Sequence, residues 1–122
     1  MTEQKTPTGF DFEALRRGVE QSDAEALIDL YADGAEVRIV NRRTPPSSPH
    51  VLRGKEEIAE HLREGYGKEM EHRVENEVFA DERVAFNIAC RYPEGLRVLV
   101  ATTLEVRDGK IAREVDVEAW DE

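Results

Sequence analysis

One cysteine and one tryptophan stand among 122 residues, and aromatic side chains make up only 7% of the chain. The single Cys90 excludes an internal disulfide, so nothing in the sequence calls for an oxidising compartment. Basic charge is scarce too: 17 Lys and Arg face 27 Asp and Glu, a formal net charge of -10. A nucleic-acid binder needs a positive patch to replace phosphate counterions, and the pairs Arg16-Arg17 and Arg42-Arg43 are too short to make one. The acidic excess repels anionic ligands at long range and leaves an uncharged or cationic small molecule as the compatible partner. No apolar run is long enough to cross a bilayer. Met1 to Gly9 is polar, without the apolar core of a signal peptide. These absences predict a cytoplasmic protein with neither a nucleic-acid nor a membrane partner.

What is present is a β-rich final third. Arg83 to Tyr92, Arg97 to Arg107 and Lys110 to Trp120 follow one another almost without connection. Asp108-Gly109 separates the last two and favours a primed hairpin turn, because Gly accepts positive φ. Pro93-Glu94-Gly95 separates the first two and is also turn chemistry. Connections this short join antiparallel strands, whereas parallel strands need long crossovers. The alternation of His72, Val74, Asn76 and Val78 with charged neighbours predicts a further strand with that first set facing inward. Phe86, Ile88, Cys90 and Tyr92 share one face of the next strand, and Val98, Val100, Thr102, Leu104 and Val106 one face of the strand after it. In the last strand Val115, Val117 and Ala119 oppose Glu114, Asp116, Glu118 and Trp120, and alternation assigns the acids to solvent.

The first half reads as helices. Residues 1–9 are expected to form a disordered tail, and residues 10–122 a single domain. Phe12, Leu15 and Val19 recur at helical spacing. Ser22-Asp23-Ala24-Glu25 matches a capping box opening a second helix, with Asp33-Gly34 as its expected stop. Ala35 to Asn41 reads as a short strand. The prolines of Arg42 to His50 forbid helix and central strand, and a loop of that length is expected to cover a pocket mouth. A third helix runs from Lys55 to about Gly65.

Several local signatures resemble the nuclear-transport-factor-2-like superfamily and its SnoaL-like group. They are Leu27-Ile28-Asp29-Leu30-Tyr31-Ala32-Asp33-Gly34-Ala35, Leu52-Arg53-Gly54-Lys55-Glu56-Glu57-Ile58, His72-Arg73-Val74-Glu75-Asn76, and Asp108-Gly109-Lys110-Ile111 closing at Ala119-Trp120-Asp121. The resemblance covers Phe10 to Asp121. It implies an α+β fold in which a cone-shaped, curved, mostly antiparallel sheet wraps around three N-terminal helices and encloses an apolar pocket. It further implies a small apolar or uncharged ligand, no cofactor, and a homodimer. The dimer would form through the sheet face that carries Leu99, Ala101 and Thr103.

Fold alone does not fix function, so the site is read residue by residue. His72, on the inward parity of its strand, is either a proton shuttle or a structural histidine, bonded to a backbone carbonyl or reaching water at the strand end. Asp116 matches the position of a pocket carboxylate in some family enzymes and is its expected catalytic partner. Tyr31, Tyr66, Asn76, Cys90 and Trp120 are the expected substrate-binding residues. The other inward positions offer no second acid, and neither His50 nor His61 is placed to join His72. The three histidines lack ligand spacing, so no metal site is expected. Two functions fit: an acid-base isomerase, cyclase, dehydratase or hydratase acting on an uncharged apolar substrate, or a non-catalytic ligand-binding or protein-interaction module.

Overall fold

A computed structural model describes residues 6–121. In chain order the elements are α1 (Phe12–Glu20), α2 (Ala24–Ile28), β1 (Tyr31–Val40), β2 (His50–Arg53), α3 (Lys55–Tyr66), β3 (Glu71–Ala80), β4 (Arg83–Arg91), β5 (Arg97–Arg107) and β6 (Lys110–Trp120). The strands form one curved sheet in the order β2-β1-β6-β5-β4-β3. Every pairing is antiparallel except that of β1 with β6. The helices fill the concavity, and Phe12, Leu15, Val19, Leu27 and Ile58 join Val37, Val84, Phe86, Leu104 and Ile111 in one core. None of the helices among the described residues is long and apolar enough to span a membrane.

Local chemistry starts and stops these elements. Asp11 and Asp23 cap α1 and α2, each side chain accepting from the backbone N–H three residues on. Asp23, not Ser22, is therefore the second cap, and Glu25 instead reaches Arg63 on α3 through two N–H donors. Asp108 and Gly109 both adopt positive φ, 50° and 77°, as a primed turn requires. A side chain at position 109 would also collide with the Gly9 carbonyl at 2.8 Å. Met1 to Lys5 of the expected tail lie outside the described residues. Pro7, however, is buried, and its carbonyl accepts from the Phe10 N–H.

The second helix ends at Ile28, five residues before the expected stop, and Asp33-Gly34 lies inside β1. The cause is tertiary: β6 docks here in parallel, with Tyr31 opposite Ile111 and the Leu30 carbonyl accepting from the Ile111 N–H. His50 to Arg53 pairs with β1 as a short edge strand that the loop reading did not foresee.

Register breaks in β1 between Tyr31 and Glu36, and β3 and β6 each contain one extra residue. In β3 the register slips between Glu75 and Val78, and Asn76 sits at φ 60°. Val74 is buried before the slip, while after it Val78 is half exposed and Phe79 packs on the core. The expected inward placement of Asn76 and Val78 is thereby corrected: both are exposed, and Asn76 donates to the Asn87 side chain. In β6 Ile111 pairs with Val106, yet Arg113 pairs with Glu105, so Ala112 is the added residue. Ile111 faces the core, and from Arg113 onward the phase is reversed. Leu104 opposes Glu114, and Thr102 opposes Asp116. Both β5 residues are buried, and cross-strand partners share a face, so the acids point inward. Val115 and Val117 are correspondingly 40% and 47% exposed.

Candidate active site

Between the helices and the concave face lies a cavity of about 290 Å³. Its walls are apolar, with Leu15, Val19, Leu62, Phe86 and Val100 among them. Glu114, Asp116, Glu118 and Trp120 enter in sequence along the inner face of β6. The assignment of Asp116 to solvent is thus overturned by the extra residue at Ala112, as is the absence of a second inward acid.

Asp116 is the most perturbed of these groups. It is partly buried, and burial first, then the charge of Glu114 and a hydrogen bond with it, hold its carboxyl well above the usual range. The Thr102 hydroxyl opposes this by donating to Asp116 Oδ1 at 2.8 Å. Asp116 therefore keeps its proton to a higher pH than an ordinary aspartate. Tyr31 donates its hydroxyl to Glu114 Oε1 at 2.5 Å. Burial, then the Glu114 charge, raises the Tyr31 phenol well above its ordinary value and keeps it a donor. Glu118 accepts from Asn41 Nδ2 at 2.9 Å. That bond ties the base of the Pro/Ser loop to β6, but no residue from 42 to 49 lines the cavity. The expected cover is not there.

A second polar group lies on α3, β3 and β4. His72 and Cys90 are cross-strand partners, with Nδ1 3.4 Å from Sγ. Burial pushes the Cys90 thiol up to about 11. The thiol also donates to the Ile88 carbonyl at 3.9 Å, so the direction of the Nδ1–Sγ contact follows the imidazole tautomer. Nε2 is buried without a hydrogen-bond partner, and the Tyr66 ring packs against the imidazole at 4.9 Å between centroids. Burial also lowers the His72 pKa, so the ring is neutral at pH 7. Neither nitrogen touches a carboxylate, so the expected His72–Asp116 pair shares the cavity without a bond.

Tyr31, Tyr66, Cys90 and Trp120 line the same cavity, whereas Asn76 does not. Sequence reasoning missed Glu114, Glu118, Thr102 and His61, all of which line it. His61 faces in from α3 with the His50 ring 5.9 Å away, and burial followed by His50 lowers its pKa. The acids did leave a signal, since 114, 116 and 118 repeat at the strand period. Only their phase was misread.

A curved mixed sheet closed over three helices around a cavity defines the nuclear-transport-factor-2-like architecture, and solved structures agree. An NTF2-like protein of unknown function from Mesorhizobium loti is 17% identical, with a TM-score of 0.76 over 94% of this chain and 99% of that one. Another, from Burkholderia xenovorans LB400, is 18% identical, with a TM-score of 0.72 over 91% and 82%. An LEH-like epoxide hydrolase from M. tuberculosis is 19% identical, with a TM-score of 0.66 over 88% and 79%. At these identities the likeness establishes the fold. The chain belongs to the SnoaL-like domain family, whose model matches residues 12–114. No curated protein matches it.

Proposed function

We propose that this protein is a cofactor-independent acid-base enzyme that moves a proton within a small, mostly apolar substrate, as in isomerisation, cyclisation, dehydration or hydration. One observation carries this reading. Asp116, its carboxyl held well above the usual range by burial and by neighbouring Glu114, lines an apolar cavity beside Glu114, which accepts the Tyr31 hydroxyl. Glu114, oriented by the Tyr31 hydroxyl, takes a proton from the substrate, and protonated Asp116 returns one at a second position. Thr102 fixes the Asp116 rotamer. His72 serves as a positioning residue whose ring holds Tyr66 in the wall.

The test is a thermal-shift ligand screen followed by turnover assays on the hits. Asp116→Asn should bind the substrate and lose about 10²–10⁴-fold in turnover, the usual contribution of a positioned acid or base. Unchanged turnover in Asp116→Asn would sink the reading. Binding without chemistry in any hit would favour the ligand-binding module instead.

We also propose a homodimer formed through the outer sheet face. Leu99, Ala101, Thr103, Val115, Val117 and Ala119 lie together there on β5 and β6. Leu99 is 51% exposed. The patch carries no charge, in a chain with 36% charged residues, so a second apolar face of the same kind complements it best. Light scattering should give twice the 13.9 kDa monomer mass, and Val117→Lys should return it to the monomer.

A further inference from the structure

The inner stripe of α3 carries a gap. Ile58, His61, Leu62, Gly65 and Tyr66 recur at helical spacing, and all of them line the cavity. Gly65 is half-buried in that stripe and is its one position without a side chain. A side-chain carbon at position 65 would meet no atom within 4 Å. Its stripe neighbours face the cavity, so the empty space in front of Gly65 is cavity too.

Backbone geometry gives no reason for glycine here. Gly65 lies within α3, its φ is not positive, and the helix is closed two residues later by Gly67. In α1 the case is different: a side chain at Gly18 would run into Leu27 Cδ2 at 2.7 Å, so the packing of α1 on α2 requires glycine there. A helical glycine is less stable than alanine, because its backbone loses more freedom on folding. At Gly65 the folded chain gains no contact in return; it gains room. Room is scarce, since a cavity of about 290 Å³ lies at the low end for small-molecule sites. Its close-packed walls yield little, so even one added methyl group is felt.

We propose that Gly65 is a specificity-determining residue: its missing side chain leaves a recess in the helical wall that admits a bicyclic apolar body and so sets the upper size of the ligand. This rests on reading the cavity as the working site, and it narrows the substrate from small apolar molecules in general to a shape. The polar groups Thr102, Glu114 and Asp116 lie on the sheet wall, on β5 and β6. A molecule held there by one uncharged polar group extends its body toward α3. A single ring leaves the recess empty, whereas a second fused ring packs against the bare turn between Leu62 and Tyr66.

Isothermal titration calorimetry on the full chain with benzyl alcohol and 1-naphthalenemethanol, which differ by one fused ring, tests this. Wild-type protein should bind the naphthalene compound more tightly. Gly65→Leu fills the recess and should weaken 1-naphthalenemethanol about tenfold or more, while benzyl alcohol changes less than about threefold. Gly65→Ala should shift the preference the same way by a smaller factor, and should raise the melting temperature because alanine favours the helix. Opposite signs on stability and on binding of the larger alcohol are what a merely structural glycine does not give. A ratio of the two dissociation constants that Gly65→Leu leaves unchanged overturns the inference. So does tighter wild-type binding of the smaller alcohol, or no binding of either at millimolar concentration. A lower melting temperature for Gly65→Ala overturns it as well, because the helix itself would then require the glycine. Should Gly65→Leu fail to fold by circular dichroism, the ratio measured with Gly65→Ala decides. The acid-base reading stands or falls separately, because the two alcohols can bind without reacting and Asp116→Asn turnover does not report ligand size.

Discussion

β3 and β6 each carry one extra residue, and the two insertions do opposite things to the cavity. In β3 the slip turns Asn76 and Val78 outward and brings Phe79 onto the core, where it meets Phe12 edge to face at 5.1 Å between centroids. In β6 the slip sends Val115 and Val117 to the outer face and brings three acids inside. The first exchanges polar for apolar and serves packing. The second exchanges apolar for acidic, a loss for packing that makes sense only as chemistry or recognition.

The largest expected effect sharpens the packing half. Phe79→Ala should cost about 2–3 kcal/mol in urea denaturation, while Val78→Ala should stay within about 0.5 kcal/mol. Strict alternation along β3 predicts the reverse order.

Asp116→Asn probes the chemical half through pH. The folded-state pKa of Asp116 is raised, so the stability it contributes is present at low pH and is lost as pH rises through that folded value. His61 and His72 have lowered values, so their contribution is lost as pH falls through the ordinary histidine range near 6.5. Wild-type protein should therefore lose stability on both sides. Asp116→Asn should flatten the alkaline side alone, and thermal melts from pH 4 to 9 would show it. Equal alkaline slopes in the two proteins would mean that Asp116 is hydrated.

Deleting Ala112 tests the β6 slip directly. The strand should become regular with the acids still inward, at a cost of about 1 kcal/mol in chemical denaturation. Were β6 regular in the wild type, the same deletion would swap its faces and collapse the core.

The smallest effect belongs to Asn76. Its φ of 60° is tolerated by Asn and free for Gly, so Asn76→Ala should cost about 1 kcal/mol and Asn76→Gly close to nothing. Chemical denaturation resolves that difference.

These slips also mark where the sequence ceased to be legible. The bounds of β5 and β6 follow from Asp108-Gly109 and the alternation on either side. The third helix follows from Ile58, Leu62 and Tyr66. Ala112 carries no local signature of an insertion, and Val115 and Val117 look like core because β-branched residues serve an outer sheet face equally well. The facing of Asp116 is set by Thr102 and Leu104 across the ladder, which a strand read alone does not contain. The early end of α2 has the same origin, since the partner of Tyr31 lies at Ile111, 80 positions further along the chain. His61 escaped notice because its place in the cavity depends on where α3 lies over the sheet.

The edge position of β3 has a consequence beyond the cavity. Its outward backbone groups at Val74 are already taken: the N–H donates to Glu20 and the carbonyl accepts from Arg16. Two residues later, the slip at Asn76 breaks the flat ladder. The opposite edge, β2, is only four residues long. Neither rim offers another chain a long straight template for strand addition, the step by which exposed sheets grow into aggregates. A copy of the chain brought against either rim finds no long run of free backbone groups on which to extend the sheet.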